Sequence, residues 1–170
     1  DSPFPIRVAQ FYMAKHKVSL SFAMQFIDFA AKHGFNFINV CIYGRIRTSV
    51  FNLFPETESY SQDEIRRIVE YASSKEIEII PNYELFGHAD HFLQFPELEH
   101  LAELRGGRSG RFSSVKHVFC PSEERVYEFI EAYLRETVPL FPGKFIHAGL
   151  DETFDIGLCD RCSERMKTEG

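Results

Sequence analysis

The 170 residues contain no tryptophan, three methionines and only four cysteines. Cysteines this sparse exclude the disulfide-scaffold class of small secreted domains. No apolar run approaches the ~18 residues that a membrane-spanning helix requires, so no membrane is expected as a partner. Basic residues are not in excess. The formal charge is −6, which argues against nucleic acid as a partner, because phosphate binding needs a basic face. No pattern of charged start, apolar stretch and small-residue cleavage site opens the chain. With 44% hydrophobic and 26% charged residues, intrinsic disorder is excluded as well. What is abundant is phenylalanine, 18 residues, which implies a bulky aromatic core. The length suits one domain or part of a larger one.

Cys41 lies in an apolar run and reads as a buried thiol acting as a small hydrophobe. Cys159-Asp160-Arg161-Cys162 is a single C-x-x-C. A structural zinc site wants two such pairs, or one pair with suitably spaced histidines. Loop cysteines are therefore the expectation, a metal or redox role for the pair is the minor alternative, and no cofactor is assigned.

Apolar periodicity organises the chain more clearly. Ile6 to Tyr12 reads as a strand. Ser21 to His33 places Phe22, Phe26 and Phe29 at helical spacing, with Gly34 as the stop. Phe35 to Tyr43 is β-branched and aromatic, a second strand. Ser61 and Glu64 form a capping box, followed by the stripe Ile65, Ile68, Val69 and Ala72. Ile77 to Tyr83 is a third strand, Pro96 to Leu104 a short helix, and Ser122 caps a long helix from Glu123 to Leu140. Phe145 to Leu150 is the fourth strand.

Strands alternating with helices predict an α/β fold of βαβ units around a parallel sheet. Parallel architectures bind their ligands at the carboxyl ends of the strands, so the residues just past each strand should carry the chemistry. They are Lys15, His16 and Lys17; Tyr43, Arg45 and Arg47; Glu84, His88, Asp90 and His91; and Asp151 with Glu152. Asp151 and Glu152 follow an apolar strand directly. Neighbouring side chains of a regular strand point to opposite faces, but Gly149 permits a close backbone approach or twist that brings both carboxylates to one site. Two acids held together repel, which raises the proton affinity of one of them, as a general acid requires. A solvated pair capping the next helix is the alternative.

Residues 145–152, FIHAGLDE, resemble the H-x-G-x-D-E signature of glycoside hydrolase family 20, the β-N-acetylhexosaminidases. IPNYELFGH (80–88) is similar to the family's strand-three segment, I-P-E-I-D-x-P-G-H, and FPEL (95–98) fits too. Cys120-Pro121 through Phe141-Pro142-Gly143-Lys144 matches in pattern and spacing. The resemblance is strong over residues 77–155 and diffuse over residues 1–60. It implies a (β/α)₈ TIM barrel of which the first four βα units are present, residues 1–170 being a partial catalytic domain with the C-terminal half outside this chain. The family carries its tryptophans in that half, which agrees with their absence here.

The resemblance also implies roles. Glu152 would be the general acid and base, and Asp151 would hold the substrate's 2-acetamido group, which acts as nucleophile. His88 and His147 would support the acid. Glu84 stands where the family has an aspartate, and Arg7 would grip sugar hydroxyls. The implied partner is a carbohydrate, an N-acetylhexosaminide. Departures fall in sugar-contacting segments: Asn82 for a glutamate, Phe86 for a proline, and Cys41-Ile42-Tyr43-Gly44-Arg45 for a histidine-rich stretch. Two other readings compete, a non-catalytic sugar-binding barrel and a metal-dependent hydrolase drawing on His88, His91, His147 and Asp151. A nucleic-acid module resting on Arg105 to Lys116, with four basic residues and no acid, is the weakest, since its glycines lack the Lys-Ser/Thr ending of a phosphate loop.

Overall fold

The structure is a computed structural model and describes residues 3–106, 111 and 117–169. Most of the basic loop 105–116 therefore lies outside the described residues. The chain divides into two compact units, residues 1–83 with 133–147, and residues 84–132 with 148–170.

The first unit holds a three-stranded parallel sheet in the order β1 (Val8–Tyr12), β2 (Phe37–Cys41), β3 (Glu78–Asn82). Register runs Val8–Phe37–Glu78 through Tyr12–Cys41–Asn82. The crossovers are α1 (Leu20–Lys32) and α2 (Gln62–Ser74), the helix-length connections that parallel neighbours need. α1 starts one residue earlier than the sequence suggests, because the Ser19 side chain accepts from the Phe22 N–H. α2 starts at the capping box as expected: the Ser61 hydroxyl accepts from Glu64 N–H, and the Glu64 carboxylate accepts from Ser61 N–H.

Strand alternation decides which face the helices cover. Phe11, Ile38, Val40 and Ile79 are buried with Ala23, Ile27 and Ala30 of α1 and with Ile65, Ile68, Val69 and Ala72 of α2. Each such branched side chain contributes about 1.5–3 kcal/mol on full burial, so an acid at Ile68 would open the layer. The opposite face carries Val8, Gln10, Tyr12, Asn39 and Ile80, half-buried or exposed. Both crossover helices thus share one face of the sheet, the arrangement of a barrel wall and not of a doubly wound sheet.

The fourth strand is a correction. Among the described residues it is a single parallel bridge, Asn82 to His147, with His147 N–H donating to Pro81 O (2.9 Å) and Tyr83 N–H to His147 O (3.1 Å). Two residues on, Gly149 adopts φ +58° and leaves the extended conformation, which stops the ladder.

In the second unit, a short α3 (Asp90–Leu93) precedes a 3₁₀ turn, Pro96–Leu101. α4 (Glu124–Thr137) begins here and ends in the first unit. Glu123, not Ser122, occupies the residue before it. A second 3₁₀ turn, Val138–Leu140, replaces the last turn of the expected long helix, since Pro139 has no N–H to donate. α5 (Asp160–Glu169) closes the unit. Among the described residues no helix is long and apolar enough to cross a membrane.

Candidate active site

Four of the residues singled out from the sequence meet in the second unit. His88 Nε2 lies 3.1 Å from Glu152 Oε2 and 3.9 Å from Asp151 Oδ2. Glu84 is buried at 4% exposure, and Glu84, His88 and Asp151 each offer a ligand-type atom within 4.8 Å of the others. Both acid side chains are open to solvent, Asp151 at 63% and Glu152 at 51%. One imidazole therefore faces two accessible carboxylates, beside a third that is shut away.

Glycines bring the two segments together. A Cβ on Gly87 would stand 1.9 Å from the Asp151 carbonyl oxygen, and one on Gly149 would stand 2.6 Å from the Glu84 carboxyl carbon. Neither distance is physically possible, so these positions admit glycine alone without rearrangement. Leu85 N–H donates to the carbonyls of Ala148 (2.9 Å) and Gly149 (3.0 Å), fixing the alignment. Glu84, His88 and Glu152 all have left-handed backbones, φ +49°, +50° and +53°. Such conformations cost non-glycine residues roughly 1–2 kcal/mol each and gather at functional sites. They also explain how two adjacent acids escape the up-and-down alternation of a strand.

His117 was not singled out from the sequence, where it borders the basic loop and no spacing marks it. Its Nε2 accepts from the His88 N–H (3.4 Å), its ring sits edge-on to that of His88 with centroids 4.6 Å apart, and its Nδ1 is 3.3 Å from Asp90 Oδ1. It thereby props the histidine that faces the acids.

Other sequence candidates have different occupations. Arg7 lies ahead of β1, where the strands start and not where they finish. Its guanidinium donates to the carbonyls of Gly34 and Phe4 (Nη1 to Phe4 O, 2.6 Å). The expectation that it grips sugar finds no geometric support there. His147 belongs to the first unit, with its backbone docked on β3 and its side chain exposed. Arg45 is buried, stacked 3.8 Å over Phe54, and donates to Ala14 O (2.6 Å) and Lys15 O (3.1 Å). Lys17 pairs with Glu64. These two basic residues hold loops together. Of the four side chains weighed for a metal-dependent hydrolase, His88 and Asp151 are close. His91 is buried with its ring 4.3 Å from that of Phe92.

A second cluster joins the C-x-x-C pair to Glu103, which the sequence does not single out, and to Cys120. Glu103, Cys120, Cys159 and Cys162 offer ligand-type atoms within 4.8 Å of one another. Burial would raise the Glu103 pKa, but the Cys159 N–H and the thiols of Cys162, Cys120 and Cys159 outweigh it and hold the carboxyl below its usual range. Burial and the Glu103 charge push the Cys120 thiol well up. Beside it, Glu123 is held well below the carboxylate range, with Arg125 the strongest influence and Arg161 and Arg105 adding to it.

Comparison with known proteins identifies the family and the fold. Residues 25–170 match the model of the glycosyl hydrolase family 20 catalytic domain. The chain is 34% identical over 114 residues to a beta-hexosaminidase of Porphyromonas gingivalis, covering 65% of this chain and 14% of that protein. A beta-hexosaminidase of Vibrio furnissii is 33% identical over 115 residues, 65% of this chain and 19% of that one. The chain thus spans under a fifth of each of these curated relatives. Among solved structures, Flavobacterium johnsoniae chitobiase superposes with a TM-score of 0.82 at 24% identity, over 98% of this chain and 27% of that chain. A GH20 exo beta-N-acetylglucosaminidase from Vibrio harveyi in complex with N-acetylglucosamine gives 0.81 at 20% identity, over 98% and 30%. These likenesses show a TIM-barrel-type fold.

Proposed function

We propose, since the chain belongs to glycosyl hydrolase family 20, that it supplies the acid pair of a glycosidase removing terminal β-linked N-acetylhexosamine. In this reading residues 1–170 contribute the first four βα units of an eightfold barrel. The observation that carries the proposal is the meeting of Glu152 and Asp151 at one histidine, 3.1 and 3.9 Å from its Nε2, on a backbone bent to expose both.

Glu152 protonates the glycosidic oxygen as the bond to the anomeric carbon breaks. Asp151 accepts a hydrogen bond from the acetamido N–H, which turns the acetamido oxygen toward the anomeric carbon and increases its nucleophilicity. That oxygen closes a ring on the sugar, so no enzyme carboxylate forms a covalent bond, and the scheme is an exception to the two-carboxylate mechanism. The Asp151 anion stabilises the positive charge of the cyclic intermediate. Glu152, now ionised, takes a proton from the water that opens the ring, and configuration is retained. His88 steadies Glu152 between its two protonation states, and His117 steadies His88.

The test uses the complete natural protein with an aryl β-N-acetylglucosaminide. Cleavage inhibited by a thiazoline analogue of the cyclised intermediate is expected. Equal activity on the 2-hydroxy glucoside, which lacks the internal nucleophile, would contradict the scheme.

A further inference from the structure

The glycosidase reading makes no use of Glu103, Cys120, Cys159 or Cys162. We propose that these four side chains form a structural zinc site that ties the segment following Asp151 and Glu152 to the residues just after the Pro96–Leu101 turn and to the approach to α4.

Three of the six ligand pairs are spaced close to the edges of a tetrahedron, and all six lie within 4.8 Å. A zinc ion bound at about 2.3 Å by each thiolate holds its sulfurs ~3.8 Å apart. Cys120 Sγ stands 3.7 Å from Cys159 Sγ and 3.6 Å from Cys162 Sγ. Cys162 Sγ lies 3.1 Å from Glu103 Oε2, a little inside the ~3.5 Å edge that a carboxylate oxygen at about 2.0–2.2 Å would make. Three sulfurs and one oxygen complete a four-coordinate set. Glu103, Cys120 and Cys162 are at most 3% exposed and Cys159 is half-buried; four protein ligands fill the tetrahedron, as in structural and not catalytic zinc sites.

The surroundings orient the ligands as a second layer should. Glu103 Oε1 accepts from the N–H groups of Gly157 and Cys159, both at 2.9 Å, which turns Oε2 inward. Cys162 N–H donates to Cys159 Sγ at 3.3 Å, the bond that a C-x-x-C turn makes around a metal. Three thiolates and a carboxylate on a divalent ion leave two negative charges. Arg161 offsets one, its Nη2 lying 3.9 Å from Cys120 Sγ while bonded to Glu123 at 3.0 Å. Zinc suits the set because thiolate-rich tetrahedral sites select it over oxygen-seeking cations. Binding displaces three thiol protons to solvent, and no oxidant or reductant takes part.

The protein is reduced, stripped with a chelator and titrated with cobalt(II), then with zinc. One equivalent should bind and give thiolate-to-cobalt charge-transfer bands of three-thiolate intensity, which zinc abolishes. Zinc should slow alkylation of Cys120, Cys159 and Cys162 at least tenfold and leave Cys41 unchanged. Cys120→Ser should weaken binding by ~10–100-fold or more and reduce the charge-transfer intensity, while Glu103→Gln should weaken binding and keep it. Cys41→Ala should bind as the parent does. Absence of charge-transfer bands, equal alkylation with and without zinc, or a Cys120 disulfide in the native protein would each overturn the site. Should a variant fail to fold, the parent's spectrum and alkylation map still decide.

Discussion

Two neighbourhoods of the second unit, each centred on carboxylates, are opposites. Around Glu152 the two adjacent acids are more than half exposed and face an imidazole, and Glu152 itself sits on left-handed backbone. Around Glu103 and Glu123 the acids are closed in, bound by thiols and backbone N–H groups in one case and three arginines in the other. A carboxylate that must exchange protons with a substrate has to remain reachable, whereas one that holds structure is fully occupied by partners. Exposure and occupancy, not the carboxylate itself, distinguish the two neighbourhoods.

That contrast makes graded predictions. The largest effect is expected at the open site: Glu152→Gln should lower turnover of unactivated substrates ~10²–10⁴-fold with little change in thermal midpoint. A collapse in stability instead would place Glu152 with the structural acids. At the closed site the signs reverse. Zinc at a hundredfold excess over its Kd should stabilise the stripped protein by about 2.7 kcal/mol, read as a rise in thermal midpoint that Cys120→Ser abolishes. Gly149→Ala probes the join between segments. Its φ of +58° and the Glu84 carboxyl in the way should cost about 1–2 kcal/mol or more in denaturant unfolding.

The smallest effect concerns Glu123. Its pKa is depressed in the folded protein, so its contribution is complete above the unfolded value of ~4.3. That contribution disappears as pH falls toward the depressed folded value. The arginines that hold it are substantially exposed, which limits the contribution to under about 1 kcal/mol. Melting curves of the parent and Glu123→Gln should differ at pH 6 and converge as the pH drops below 4. A gap that widens on acidification would contradict the sign.

How much of this is legible in the sequence depends on what fixes each part. α2 and the three strands follow from apolar period and a capping box, which are local signals. Gly149 marks the bend at the acid pair, and that too is local. The length of the fourth strand is not legible, since a glycine suits extended and left-handed backbone alike and only the structure shows that Gly149 takes φ +58°. His117 joins His88 across 29 residues of chain, and Glu103 joins Cys162 across 59. Neither spacing repeats a pattern that would announce it. The C-x-x-C was visible, but its partners were a cysteine 39 residues upstream and a glutamate, not the second pair or the histidines that the usual zinc spacing demands. Arg45 and Lys17 show the opposite error of reading chemistry into loop charges that hold carbonyls and a helix start.

If Asp151 and Glu152 do different work from adjacent positions, their variants should respond differently to the leaving group. On the complete natural protein, turnover is measured for a series of aryl β-N-acetylglucosaminides of falling phenol pKa with Glu152→Gln and Asp151→Asn. An activated phenol needs no protonation, so Glu152→Gln should recover most of its first-step rate at the activated end. Asp151→Asn should stay impaired across the series, because the acetamido group remains unoriented whatever departs. Rescue of Asp151→Asn by activated phenols, with Glu152→Gln inactive throughout, would contradict the assignment and exchange the two roles.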